Sequence, residues 1–141
     1  MALLLASCHH GGPGRAYDRH LARWQAAGLR AYAFTFVIGG MGGAHAGRVT
    51  VRNGRVVDVA AVRASSSSLA FEPLSFEPRR PTIDDVWALL RHDLETADKV
   101  EVSYDADYGF PSEVQVDREK HAIDDEYGYQ VRDFALAPRR Q

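Results

Sequence analysis

Residues Pro81–Val116 read PTIDDVWALLRHDLETADKVEVSYDADYGFPSEVQV, and this stretch predicts a capped helix followed by a β-hairpin. Thr82 is a suitable N-cap residue, and Asp85 stands three residues later at the acidic position of a capping box. Apolar residues then recur every three or four positions and so share one face of the helix: Ile83, Trp87, Leu90 and Leu94.

After this helix, alternating apolar residues predict two strands joined by a tight turn. Residues 105–111 supply the turn, and Gly109 within it suits a backbone with positive φ. The apolar positions that mark the two strands are Val100, Val102 and Tyr104, then Val114 and Val116.

The first half of the chain repeats this plan of a helix followed by strands. Ala16–Ala27 predicts an amphipathic helix, which Gly28 can terminate. Asn53-Gly54 lies between two valine-rich runs and predicts a type I′ hairpin over residues 48–61. The apolar residues of the helix, and the aromatic face of the strand after it, are Tyr17, Leu21 and Trp24, then Tyr32, Phe34 and Phe36.

Together these elements predict an α+β fold. Two helices pack on an antiparallel sheet of about six strands, in the order α-β-β-β-α-β-β-β, with Tyr127, Tyr129 and Val131 opening the last strand. This arrangement buries the apolar face of every element. At this length we expect one domain, residues 16–137, followed by a short tail at 138–141.

Two segments lack a clear periodic pattern. Gly39–Gly47 follows a predicted strand and precedes another, whereas a phosphate-binding loop needs a helix after it, so we expect a mobile loop with His45 at the surface. Residues 64–80 are rich in serine and proline and predict a crossover loop. Its Phe71 and Phe76 either pin the loop to the domain or form an exposed lip that contacts a ligand.

The N-terminus predicts a lipid anchor. Leu5-Ala6-Ser7-Cys8 has the apolar residue, small side chains and cysteine of a bacterial lipobox, in which the Cys8 thiol accepts a diacylglyceryl group. Residues 1–8 form a shorter signal than the usual one, with no basic region, so we expect the true start upstream of Met1. Residues 9–15 predict a flexible tether. The alternative is a buried N-terminal strand with an incidental cysteine.

Composition excludes several classes of function. The formal net charge is −2 and no basic stripe is interleaved with aromatic residues, so nucleic acid is not an expected partner. Cys8 is the single cysteine, which excludes an intramolecular disulfide and a cysteine-based zinc site. No cofactor is predicted.

The folded part resembles a known family. The segments VTVRNGRVV, PTIDDVWALL, VEVSYDADYGFPSEVQVD and DDEYGYQVRDF are similar to a bacterial envelope family catalogued as a domain of unknown function (number 6174), over residues 16–134. The resemblance implies a lipoprotein but no activity or cofactor. Family members often carry a Cys-x-Cys pair after the first strand; Gly39–Gly47 has none, which implies that any thiol function is lost here.

Two sets of side chains are candidate sites. Clustered carboxylates can bind calcium, which takes six to eight oxygen ligands, although no EF-hand spacing is present and turn formation also explains these acids. Tyr108 and Phe110 either extend the exposed lip or pack the hairpin onto the sheet. The acidic candidates, in residues 105–107 and 117–126, are Asp105, Asp107, Asp117, Asp124, Asp125 and Glu126.

No catalytic constellation emerges from the sequence. Ser65–Ser68 form a serine run without the strand-to-helix elbow of a nucleophile, and His92 is expected on the polar side of its helix beside Asp93. We therefore predict a non-catalytic binding or interaction module. It would be an extracytoplasmic protein anchored to a cell-envelope membrane through Cys8, with an unidentified envelope protein or small ligand as partner. The alternative is a calcium-dependent protein or hydrolase that uses the acidic loops.

Overall fold

The computed structural model describes residues 12–40, 43–62, 72–73, 81–119 and 126–138. It confirms the predicted class and order: two helices and a six-stranded antiparallel sheet arranged α-β-β-β-α-β-β-β. A further two-residue strand, β4, lies in the segment predicted as a crossover loop. The elements are α1 (Pro13–Ala27), β1 (Tyr32–Gly40), β2 (Gly43–Arg52), β3 (Arg55–Ala61), β4 (Glu72–Pro73), α2 (Ile83–Thr96), β5 (Lys99–Tyr104), β6 (Pro111–Asp117) and β7 (Glu126–Leu136).

The sheet is built from two three-stranded meanders that meet at its centre. Its order is β3-β2-β1-β7-β6-β5, so the first and last long strands, β1 and β7, pair with each other. The short β4 pairs in parallel with β2 at His45 and Ala46. None of the described helices is long and apolar enough to cross a membrane.

The ends of both helices follow from local chemistry. The capping box predicted for α2 is confirmed: Thr82 Oγ1 accepts a hydrogen bond from the Asp85 amide at 3.2 Å, and Asp85 Oδ2 accepts one from the Thr82 amide at 2.8 Å. Gly28 ends α1 in a left-handed conformation with φ of 60°. Helix α1 begins at Pro13 rather than Ala16, so residues 13–15, predicted as the end of the tether, are helical.

An aromatic core joins the two helices to one face of the sheet. The Trp24 ring meets Tyr32 and Phe110 edge-on, with centroids 5.6 and 6.0 Å away. Its Nε1 donates a hydrogen bond to Asp84 Oδ1 at 2.9 Å, which ties α1 to the start of α2. Tyr32 Oη accepts a hydrogen bond from the Ile83 amide at 3.0 Å. Burial raises the pKa of Tyr32 to about 12.

The prediction of a mobile loop at residues 39–47 is wrong for residues 39–40 and 43–47, the part of this segment that the structure describes. Strands β1 and β2 continue into this segment, with Gly39 opposite Ala44 and Gly40 opposite Gly43. The prediction failed because glycine and alanine have low strand propensity, whereas here they allow close packing: a Cβ on Gly40 would lie 2.8 Å from the Glu126 carbonyl oxygen. His45, predicted at the surface, is half-buried, and its Nδ1 is buried.

Candidate functional site

The candidate site lies on the face of the sheet that carries neither helix. Val114, Val116 and Tyr129 point into the core beneath the helices and are buried. Because side chains alternate along a strand, Gln115 and Gln130 point to the opposite side, as do their neighbours two residues away. Strands β5, β6 and β7 therefore display a polar surface, which we call the helix-free face.

The register of these strands concentrates acidic groups at one corner of the helix-free face. Lys99, Asp117 and Glu126 occupy one row across the three strands, because Lys99 pairs with Asp117 and Asp117 pairs with Glu126. On the same face, Glu101 lies two residue pairs further along, and Glu113 lies four pairs further, roughly 13 Å from Asp117 along β6. We call the four carboxylates the acidic corner: Glu101, Glu113, Asp117 and Glu126.

Lys99 is the basic side chain within this corner. Its Nζ lies 2.9 Å from Glu101 Oε1, and this hydrogen bond raises the pKa of Lys99. One cation against four carboxylates leaves the corner with an excess of negative charge. Its residues border a shallow groove of ≈ 270 Å³, lined by Lys99, Glu101, Gln115, Val116, Asp117 and Glu126.

Two acceptor oxygens on the helix-free face lack partners. Asp117 Oδ1 and Gln130 Oε1 are both buried without a hydrogen-bond partner among the residues that the structure describes. A buried acceptor that makes no hydrogen bond costs about 1–3 kcal/mol. A ligand that donates hydrogen bonds to them would recover that cost, so the face is chemically suited to bind a donor-rich group.

A row of small residues crosses the sheet beside the acidic corner. Gly128 pairs with Gly39, and Gly39 pairs with Ala44, so three adjacent strands carry little or no side chain at this level. The hollow above them measures ≈ 280 Å³ and is bordered by Gln130 and Arg132. The Gln115 side chain leans over it, since a Cβ on Gly128 would come 2.7 Å from Gln115 Oε1.

Of the predicted acidic residues, Asp105 builds a turn. Its Oδ1 accepts hydrogen bonds from the amides of Asp107 and Tyr108, at 2.9 and 2.7 Å, and its own amide donates to the Phe110 carbonyl at 2.8 Å. Such an Asx turn uses the carboxylate internally. The neighbouring Asp107 is exposed. The explanation by turn formation is therefore confirmed for Asp105.

The structure separates the acidic residues into two groups. Asp117 and Glu126 face each other on β6 and β7, whereas Asp105 and Asp107 precede the opposite end of β6. The seven residues of β6 place these ends roughly 20 Å apart. No group of three or more His, Cys, Asp or Glu side chains within the described ranges could hold a metal ion. Asp124 and Asp125 lie outside the described residues.

Of the four predicted lip residues, the structure describes Tyr108 and Phe110, and neither is fully exposed. Phe110 is 2% exposed and packs on Trp24 and Phe134, so its prediction as a lip residue is wrong and the packing explanation is confirmed. Tyr108 is half-buried against Phe134, with centroids 5.4 Å apart. Both rings pack within the aromatic core, which explains why they do not form an exposed lip. Phe71, Phe76 and the lipidation candidate Cys8 lie outside the described residues.

Sequence reasoning missed a buried carboxylate, Asp93. This residue was expected on the polar side of α2, but it is 2% exposed, and its oxygens accept hydrogen bonds from the hydroxyls of Tyr127 and Tyr129, the latter at 3.0 Å. The helical period does indicate that Asp93 is buried, because it follows Val86 and Leu90 at i+7 and i+3 on the same helical face. His92 is exposed, as predicted.

The electrostatics of this cluster keep both phenols protonated. Burial and then the hydrogen bond with Asp93 raise the pKa of Tyr127, and burial and then the charge of Asp93 raise the pKa of Tyr129. The Arg118 guanidinium lies 4.6 Å from the centre of the Tyr127 ring. The cluster connects the last turn of α2 to β7, and we interpret it as structural support.

Comparison with known proteins identifies a family but no characterised relative. The family model described as "Family of unknown function (DUF6174)" matches residues 16–136, which is most of the chain. No curated protein and no solved structure matches the chain.

Proposed function

Because the chain belongs to the DUF6174 family, whose function is unknown, we propose from its own residues that it is a lipid-anchored interaction module of the cell envelope. The helix-free face is the docking surface in this proposal. Its partner is an envelope protein that presents a segment rich in basic, hydrogen-bond-donating side chains.

The observation that carries the docking surface is that Asp117 Oδ1 and Gln130 Oε1 have no hydrogen-bond partner within the described part of the chain. They lie on the face that neither helix covers, next to the three exposed carboxylates of Glu101, Glu113 and Glu126. Charge complementarity selects a basic partner, because opposite charges steer the encounter and fix the register of binding. Lysine and arginine side chains also supply only donors, which matches two free acceptors.

The anchor rests on Cys8, which stands in the lipobox Leu5-Ala6-Ser7-Cys8. Metabolic labelling with a fatty-acid analogue is expected to mark the protein expressed from its native gene. The Cys8→Ser variant is expected to remain unlabelled. Equal labelling of both proteins would disprove lipidation at Cys8.

The docking surface is tested in cells by site-specific photocrosslinking. A photoreactive residue at Ser103, which is exposed on the helix-free face, is expected to capture a partner, whereas one at Ala88, exposed on α2, is not. Charge reversal by Glu126→Lys should lower the crosslinking yield about tenfold, because it places like charges together. Glu95→Lys, the same change on exposed α2, is the matched control.

Capture alone does not support the proposal. The crosslink must weaken both in high salt and in the Glu126→Lys variant, since a rim charge makes association depend on ionic strength. Equal yields from Ser103 and Ala88, or an unchanged yield for Glu126→Lys, would rule out the acidic corner as the docking surface.

A further inference from the structure

Helix α1 carries an arginine stripe on its outer surface. Arg15, Arg19 and Arg23 recur every four residues, so they lie along one side of the helix, and all three are exposed. The opposite side packs Tyr17, Leu21 and Trp24 against the core. α1 contains only one acidic residue, Asp18, so the helix is a cationic surface on a protein whose net charge is −2.

The stripe lies close in sequence to the proposed anchor. Five peptide steps separate Cys8 from Pro13, where α1 begins, and they span at most about 18 Å. Arg15 and Arg23 are separated by a further ~12 Å along the helix axis. A lipid on Cys8 would therefore keep the whole stripe within a few Debye lengths of the membrane, at a high effective concentration.

We infer that the arginine stripe is the surface that lies against anionic phospholipid headgroups, an inference that rests on the proposed function. Basic side chains next to an anionic bilayer attract it with a strength that falls off within about one Debye length. Guanidinium groups also form paired hydrogen bonds with phosphate.

This orientation assigns opposite roles to the two faces of the domain. The core side of α1 packs on Tyr32 and Tyr104 of the sheet, so the arginine stripe and the helix-free face lie on opposite sides of the sheet. With the stripe on the membrane, the acidic corner points away from it. The orientation therefore removes the acidic corner from a negatively charged surface and exposes it to a partner.

The test uses the full chain coupled chemically through Cys8, its single cysteine, to a maleimide lipid in vesicles. A fluorescent amino acid replaces Ala22, which is exposed between Arg19 and Arg23, or Ser103 on the helix-free face as the control position. The membrane carries a lipid with a nitroxide quencher on its headgroup. We expect quenching of the Ala22 probe when the vesicles contain phosphatidylglycerol. Quenching should be lost with phosphatidylcholine alone or in about 1 M salt, where the Debye length is about 3 Å.

Matched variants distinguish an effect of the arginine stripe from an effect of the protein's overall net charge. Each arginine contributes about fivefold to the attraction, so R15Q/R19Q should lower the ratio of docked to undocked protein about 30-fold. R52Q/R55Q makes the same charge change at the exposed β2–β3 turn and should leave the ratio unchanged. The double variant keeps the hydrogen bond from Arg23 to the Ala106 carbonyl, and R15K/R19K should restore docking if charge is the cause.

Equal quenching of the Ala22 and Ser103 probes, or equal effects of the two glutamine double variants, would overturn the inference. So would docking that is independent of phosphatidylglycerol, or stronger quenching at Ser103 than at Ala22. Because the anchor is supplied chemically, these outcomes do not depend on lipidation in cells. Failure of the fatty-acid labelling would instead remove the proposed anchor while leaving the lipid affinity of the stripe measurable.

Discussion

Replacing Asp93 by alanine should destabilise the fold by about 3 kcal/mol. The substitution removes the acceptor for both tyrosine hydroxyls of β7, and each O–H group then lacks an acceptor in a region where Asp93 itself is 2% exposed. A buried donor left unpaired costs about 1–3 kcal/mol, and two of them give the expected total. Asp93→Asn keeps the volume and one acceptor, so its cost should be about half as large.

Urea unfolding followed by tryptophan fluorescence measures this effect directly. Trp24 and Trp87 are each 3% exposed, so both report the loss of the core. With a slope of about 1.5 kcal/mol per M, Asp93→Ala should shift the midpoint by about 2 M. Glu95→Ala lies on the exposed side of the same helix, paired with exposed Arg91, and should change stability by less than about 0.5 kcal/mol.

A double-mutant cycle distinguishes the hydrogen bonds from loss of volume. Tyr129→Phe in the parent protein removes one donor to Asp93, whereas in the Asp93→Ala protein it removes a hydroxyl that no longer has an acceptor. The second step should therefore cost less, with a coupling energy of about 1–2 kcal/mol. Additive effects, or an Asp93→Ala protein within about 0.5 kcal/mol of its parent, would refute the reasoning.

Three further predictions concern the core, the β5–β6 turn and helix α1. Burial raises the pKa of Tyr32 to about 12. Its phenol therefore adds stability that is complete below about pH 10, the unfolded value, and is lost as the pH rises to about 12. Urea midpoints from pH 8 to 12 should fall, and Tyr32→Phe should reduce the slope; a flat profile would contradict this. Gly109→Ala should cost about 2 kcal/mol, because φ there is +82° and the new Cβ would lie 3.0 Å from the His20 carbonyl oxygen. Gly14 lies in α1 with open space around it, so Gly14→Ala should raise stability by about 0.5–1 kcal/mol. Equal melting temperatures for Gly109→Ala and Gly14→Ala would contradict these two predictions.

Local chemistry accounts for the parts of the fold that the sequence predicts. The capping box at Thr82 depends only on residues within four positions of each other, and the structure contains it. The hairpin turn at Asn53-Gly54 needs positive φ at both residues, and they have φ of 51° and 74°. In these cases the interaction that fixes the conformation lies within the segment itself.

The candidate site depends on contacts that no local pattern specifies. Asp117 lies beside Glu126 only because β6 and β7 pair in one register, and a shift by one residue would move one of them to the core side. The central pairing of β1 with β7 brings together strands from opposite ends of the domain. Asp93 was missed for a related reason: its position in the helical period places it inside, but only the two tyrosines of a distant strand make its burial tolerable.

The small residues beside the acidic corner illustrate why shape alone is weak evidence for binding. A Cβ on Gly39 would lie 2.6 Å from the Gly43 carbonyl oxygen, so the hairpin itself requires glycine there. Close packing of β1 on β2 therefore explains the hollow without any ligand. The same argument does not explain the unpartnered Asp117 Oδ1 or the excess of carboxylates around it, because neither improves the packing of the strands. The case for a docking surface consequently depends on charge and unsatisfied acceptors, and charge reversal at Glu126 tests it more directly than filling the hollow would.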